Sequence, residues 1–178
     1  MHTENATLLL SVLDVKIKLR EEYVPLKTIL TYGTFDLFHV GHVRLLRRLK
    51  SSADHLVVGC STDEFNQLKG KKCIFPYSDR AEILESCQYV DQVFPEESWE
   101  QKVDDIKKYD VDTFAIGDDW AGEFDFLETE GHCRVIYLPR TQGISTTDVR
   151  STVNHLRKDE ISGIINTLHD VEKRLQTL

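Results

Sequence analysis

Residues 28–42 read Thr28-Ile29-Leu30-Thr31-Tyr32-Gly33-Thr34-Phe35-Asp36-Leu37-Phe38-His39-Val40-Gly41-His42, and Val43-Arg44-Leu45-Leu46-Arg47-Arg48-Leu49-Lys50 follows directly. The first five residues are β-rich. The last eight place Val43, Leu45, Leu46 and Leu49 on one side and Arg44, Arg47, Arg48 and Lys50 on the other, the pattern of an amphipathic helix. Strand, glycine-bearing turn and helix in that order open a βαβ unit. Outward from this stretch the rhythm repeats, with β-rich runs at 55–60, 90–94, 112–116 and 134–138 and helical patterns between most of them. Ser61-Thr62-Asp63-Glu64 and Ser98-Trp99-Glu100-Gln101 read as capping boxes at helix starts. Ala81, Ile83, Leu84 and Cys87 mark a helix over 79–89.

Strands alternating with helices predict an α/β fold, a Rossmann-like doubly wound parallel sheet of about five strands. Right-handed crossovers then place its site at the carboxyl ends of the strands. Residues 1–27 form an N-terminal extension, in which Val15, Ile17 and Leu19 alternate as in a strand while Leu9, Val12 and Leu13 suit a helix. The main domain spans 28–157. A helix begins after Ser145, and residues 158–178 form a C-terminal helical tail, with Ile161, Ile164, Ile165, Leu168, Val171 and Leu175 at three- and four-residue spacing.

Length and charge narrow the function classes. The 178 residues suffice for one domain with its own core, and 40% of them are hydrophobic. A formal net charge of −8 argues against a protein that coats nucleic acid. The apolar run Leu8–Leu13 is far too short to insert in a membrane, and the start lacks the positive charge of a secretory signal. Four cysteines, Cys60, Cys73, Cys87 and Cys133, form no C-x-x-C pair. A reduced, cytoplasmic chain is expected.

Chemistry concentrates in two turns. After the first strand, Gly33 lets a ligand phosphate approach the backbone, and the helix start offers free N–H groups. His39 and His42, one turn apart with Gly41 between them, can point at the same anion and stabilise charge on a phosphoryl group. A histidine pair is equally read as a helix cap, a surface accident or two zinc ligands, though no third ligand stands nearby at a familiar spacing. The second turn is Pro139-Arg140-Thr141-Gln142-Gly143-Ile144-Ser145-Thr146-Thr147-Asp148. Arg140 supplies a cationic fork and Gly143 a tight turn, while Ser145, Thr146 and Thr147 bring hydroxyls to a helix start. Ser-Thr-Thr-Asp also suits an ordinary N-cap.

The elements G-x-F-D-x-x-H-x-G-H at 33–42 and R-T-x-G-I-S-T-T at 140–147 resemble the cytidylyltransferase family of the H-x-G-H nucleotidyltransferases. The likeness covers roughly residues 28–150 and includes Ser61–Asn66, Tyr89–Asp91, Trp99–Lys102, Gly117–Trp120 and Phe124–Leu127. It implies transfer of CMP from CTP to sn-glycerol 3-phosphate by in-line attack on the α-phosphate, giving CDP-glycerol and pyrophosphate. It also implies Mg²⁺ or another divalent cation, a homodimer, and a product used for teichoic acid or a capsule-like polymer. The rival readings are a cytidylyltransferase for ethanolamine, choline or polyol phosphate, and a non-catalytic nucleotide-binding module.

Residue by residue, the resemblance gives His39, His42, Arg80 and Arg140 as the catalytic set. CTP would be held by Gly33, Thr34, Phe35, the two histidines and Lys71, with Arg140, Thr141, Gly143, Ile144, Ser145, Thr146 and Thr147 completing the site. Lys69 and Lys102 would hold glycerol phosphate. Each has a plainer reading: Lys69–Lys72 as a solvated turn, Lys102 as an exposed helix residue, Arg80 as a solvated charge with no acid three or four residues away. Asp36, Asp118 and Asp119 stay open between a metal ion, orienting the histidines and contacting the base. Trp120 stays open between the cytosine pocket and the core. The chain departs from the family pattern in its two extensions and in a small insertion near Gly131-His132.

Overall fold

Leu30 and Tyr32 point to one side of the first strand and Ile29 to the other, and the two sides feed different cores. This period of two, repeated in each strand, is what a sheet covered on both faces requires. The structure, a computed structural model, describes residues 27–176. The extension expected at 1–27 therefore lies, but for Lys27, outside the described residues.

Five strands, β1 (Thr28–Gly33), β2 (His55–Ser61), β3 (Gln92–Glu96), β4 (Thr113–Gly117) and β5 (Arg134–Leu138), form one parallel sheet in the order β3-β2-β1-β4-β5. Helices α1 (Val40–Lys50) and α3 (Tyr77–Glu85) bring Leu46, Leu49 and Leu84 to the face built from Ile29, Leu56 and Val58. Helices α4 (Lys102–Lys108) and α5 (Phe126–Glu130) bring Ile106 and Leu127 to the face of Leu30, Val57 and Phe114. Burying each of these side chains contributes roughly 1.5–3 kcal/mol. The chain winds from β1 toward β2 and β3, then crosses to β4 and β5, so the order reverses beside β1. A crevice at the carboxyl ends of β1 and β4 follows from that switch. The doubly wound expectation holds.

Several details differ from the sequence expectation, among them the capping box read at 98–101: α4 starts only at Lys102, with Gln101 as its N-cap and no side-chain cap. The third strand runs 92–96 rather than 90–94, because Asp91 turns the chain: its carboxylate accepts from the Leu56 N–H and the Lys50 ammonium, both at 2.6 Å. Pro95 is tolerated there since β3 is an edge strand. Helix α2 (Asp63–Leu68) is capped by Thr62, whose hydroxyl accepts from the Phe65 N–H, while Ser61 belongs to β2 and is buried. Helix α3 stops at Glu85 instead of reaching residue 89, as Cys87 bonds back to Leu84 in a tight turn. The stretches read separately after Ser145 and at 159–177 are one helix, α6 (Thr146–Gln176), 31 residues and about 46 Å long. Along it Val153, Ile161, Ile164, Ile165 and Leu168 are exposed.

Candidate active site

Both signature turns open into one cleft of about 980 Å³ at the carboxyl end of the sheet. Thr34, Phe35, Asp36, His39 and His42 line it from the first turn. Arg140, Thr141 and Gly143 through Thr147 line it from the second, and Lys71 from the loop after α2. The turn between β1 and α1 is unusual in its backbone: Phe35 and Leu37 have φ of 52° and 48°, left-handed values that non-glycine residues adopt at a cost. That kink swings the chain so that His39 becomes the N-cap of α1.

The histidine cap explains how two readings of the motif coexist. His39 Nδ1 accepts from the Gly41 N–H at 3.0 Å, and His42 Nδ1 faces the His39 N–H at 3.4 Å. The rings stack with centroids 4.0 Å apart. With both Nδ1 atoms facing backbone donors, the neutral rings carry their protons on Nε2. Burial pulls both imidazoles down from 6.5; His42 falls to about 4, helped by His39 and opposed by Asp36. At neutral pH the pair offers uncharged N–H donors rather than cations. A Cβ on Gly41 would lie 2.7 Å from the His39 ring and 3.1 Å from Ile144, so only glycine lets the two turns close on each other.

Hydrogen bonds bind the second turn to the first. The Thr146 hydroxyl lies 3.4 Å from His39 Nε2 and 3.3 Å from the Asp36 carbonyl oxygen. Asp36 is 3% exposed, and its carboxylate accepts from the Ile74 and Phe75 N–H groups and from Arg150, which also donates to the Lys72 carbonyl. With both oxygens engaged, Asp36 ties the first turn to the lysine-bearing loop and to α6. Arg150 and Lys72 also line the cleft; neither belongs to a signature, and the sequence reading passed over both.

Other expected site residues lie outside the cleft wall. Gly33 ends β1 under the Phe35 ring, where a Cβ would meet that ring at 2.8 Å. Arg80 is 0% exposed and sits below the floor. It donates to the carbonyls of Thr34 and Ser61, each at 2.7 Å, and to that of Phe75 at 3.1 Å, and it pairs with Asp63 at 2.7 Å. The solvated-charge reading of Arg80 fails: its acid comes from another helix, not from its own. Asp119 pairs with exposed Arg140 at 3.1 Å, and Asp118 begins a 3-10 turn, Asp118–Trp120. Among the described residues no group of three His, Cys, Asp or Glu side chains is arranged to hold a metal ion.

Lys69 and Lys102 meet beside the cleft, at the ends of β2 and β3. Lys102 is 1% exposed, not the exposed helix residue of the plainer reading. Its ammonium lies 2.8 Å from Glu96 Oε1 and over the rings of Tyr32, Trp99 and Phe124. Lys69, the C-cap residue of α2, donates to the Ser61 hydroxyl at 2.9 Å and reaches Glu96 Oε2 at 3.4 Å. Burial lowers the Lys69 ammonium's pKa and Glu96 opposes that. Trp120 packs on Trp99 and Phe124 in this second wall and does not line the cleft.

Residues 30–152 match the cytidylyltransferase-like family. The chain is 56% identical over 131 residues to the glycerol-3-phosphate cytidylyltransferase of Bacillus spizizenii, covering 74% of this chain and 100% of that protein. It is 55% identical over 125 residues to the Staphylococcus aureus enzyme of the same name, covering 70% of this chain and 93% of that one. Among solved structures, the lipopolysaccharide core biosynthesis protein of Thermoplasma volcanium superposes with a TM-score of 0.57 at 21% identity, over 66% of this chain and 98% of that one, a likeness of fold.

Proposed function

The chain belongs to the cytidylyltransferase-like family, and from that premise we propose that it transfers CMP from CTP to sn-glycerol 3-phosphate, releasing pyrophosphate and CDP-glycerol. The observation that carries this is the meeting of both signature turns in one cleft, with a lysine pair beside it.

A phosphate oxygen of the acceptor attacks the α-phosphorus, and pyrophosphate leaves in line. A phosphate monoester dianion is nucleophile enough, so the chain's part is positioning and charge stabilisation. The Nε2–H groups of His39 and His42 donate to the phosphoryl oxygens as charge builds. The turn at 140–147 grips the remaining phosphates through Arg140, its hydroxyls and the first N–H groups of α6. Lys71 reaches the nucleotide from the facing loop. Arg80, wholly buried below the floor and bonded to the Thr34, Ser61 and Phe75 carbonyls and to Asp63, acts as a positioning residue.

A divalent cation neutralises nucleotide phosphates and takes few protein ligands. Asp36 does not fit that task, its carboxylate being spent on three donors. Asp119 fits it better, as an exposed carboxylate outside the cleft wall whose guanidinium partner, Arg140, lines the cleft.

For the acceptor, Lys69 and Lys102 supply the phosphate contacts. Choline phosphate is disfavoured on physical grounds, because the aromatic faces that would cage a quaternary ammonium already hold the Lys102 ammonium. We take the working unit to be a homodimer in the cytoplasm, supplying a glycerol-phosphate polymer such as teichoic acid. Among the described residues no helix is long and apolar enough to cross a membrane.

The test is pyrophosphate release with CTP and Mg²⁺, comparing glycerol 3-phosphate with ethanolamine, choline and ribitol phosphates. Release with glycerol 3-phosphate, and little with the others, is expected. Release with another acceptor alone would move the substrate assignment, and none with any would leave a nucleotide-binding module.

A further inference from the structure

Glu96 is a buried acid that the reaction above does not use. It ends β3 and is 3% exposed. Oε1 accepts from Lys102, while Oε2 accepts from the Ser61 hydroxyl and faces Lys69. The other acid of this wall, Asp105, is already engaged by the Tyr32 hydroxyl at 2.8 Å and the Gln101 amide at 2.7 Å. Two ammoniums from different helices thus converge on one carboxylate.

We infer that Glu96 is a positioning residue for the acceptor, fixing Lys69 and Lys102 as a two-pronged clamp for one phosphate group. The inference rests on the reading that these lysines hold the acceptor phosphate. Each ammonium carries three N–H donors. Glu96 engages one on each, Ser61 a second on Lys69, and the rings of Tyr32, Trp99 and Phe124 offer Lys102 no hydrogen-bond acceptor of comparable strength. Donors therefore remain on both prongs. An ammonium as deeply buried as that of Lys102 would swing to water without a counter-charge. The same contacts fix two long, flexible stems before the ligand arrives, which removes an ordering cost from binding. The ring centre of Trp99, 38% exposed, lies 4.8 Å from the Lys102 ammonium and 5.4 Å from that of Lys69, so this one ring borders both prongs.

The experiment is steady-state kinetics on the full chain with Glu96→Gln, Glu96→Asp and Lys69→Met, with CTP and glycerol 3-phosphate varied separately. Glu96→Gln should raise the glycerol 3-phosphate KM about tenfold or more and leave the CTP KM within about threefold. Glu96→Asp, which keeps the charge but shortens its reach, should fall between wild type and Glu96→Gln. If Glu96→Gln does not fold, the Asp variant carries the test, with an acceptor KM raised and a CTP KM unchanged. An acceptor KM that stays level or falls in these variants, while Lys69→Met raises it, would overturn the positioning role and keep the acceptor reading. An acceptor KM unmoved by Lys69→Met would overturn both. Equal rises in the two KM values would reduce Glu96 to a structural ion pair.

Discussion

In the proposed reaction the histidine turn and the lysine wall each meet a phosphate, yet they are built on opposite principles. The turn is half-buried and uncharged, its two imidazoles aimed by backbone N–H groups of the helix they cap. The wall is fully charged, with two ammoniums sunk among aromatic rings and balanced by Glu96. The difference follows from what each phosphate does. The α-phosphoryl group gains charge only as the reaction proceeds, so pre-aimed neutral donors favour the transition state over bound CTP. The acceptor phosphate brings its full charge on arrival, and fixed cations bind it in the ground state.

Arg80 is the place to break both regions at once, since it holds the Thr34 carbonyl of the turn and the Ser61 carbonyl of the wall. Arg80→Met strands Asp63 and three carbonyls, at a cost of about 3–5 kcal/mol. Thermal unfolding should show Tm lower by about 6–20 °C. A Tm within a degree of wild type would mean that the guanidinium is not the strut described. Next in size, His42→Ala should lower kcat about 100-fold or more with little change in the CTP KM. Wild-type turnover in that variant would remove the neutral-donor account of the turn. Lys69→Met should show the complementary pattern, an acceptor KM up about tenfold with kcat less affected. Were the two variants to lose kcat and KM alike, the contrast between the regions would collapse.

One further effect is of pH. His42 titrates near 4 in the folded chain against 6.5 when unfolded, so the unfolded chain binds the proton first. The stability this provides is whole above about pH 6.5 and drains away as pH falls toward 4, by at most about 1.4 kcal/mol per unit. A His42→Asn variant should therefore show a flatter fall of Tm across that window than the native chain. Parallel curves would refute the depressed imidazole.

What could be read from the sequence divides along the same lines. Both signature turns are contiguous, and the strands ahead of them are short β-rich runs, so 28–32 and 134–138 fall within or on the observed strands and 112–116 lies one residue early. The third strand slipped by two residues because Asp91 takes its hydrogen bonds from Leu56 and Lys50, far away in the chain. The wall was legible only as two lysines. Glu96 stood in Pro95-Glu96-Glu97-Ser98-Trp99-Glu100 among other acids, and nothing local marks it as the one that turns inward. Asp63 with Arg80 and Asp36 with Arg150 are likewise pairs made by crossovers, 17 and 114 residues apart. For α6, Asn154, His155 and the charged stretch after Leu156 interrupt the apolar spacing, so one helix read as two.

If the histidine that caps α1 is also the phosphoryl donor proposed above, the chain faces a trade between durability and use. Serine, threonine, aspartate and asparagine lead at such positions, each worth about 0.5–2 kcal/mol over alanine, and His39 occupies the place of one of them. A search for more heat-resistant variants by cap optimisation would therefore converge on this residue, and each success there would be a sturdier protein that has lost its chemistry. Selection for thermal tolerance alone should erode the signature from its first histidine.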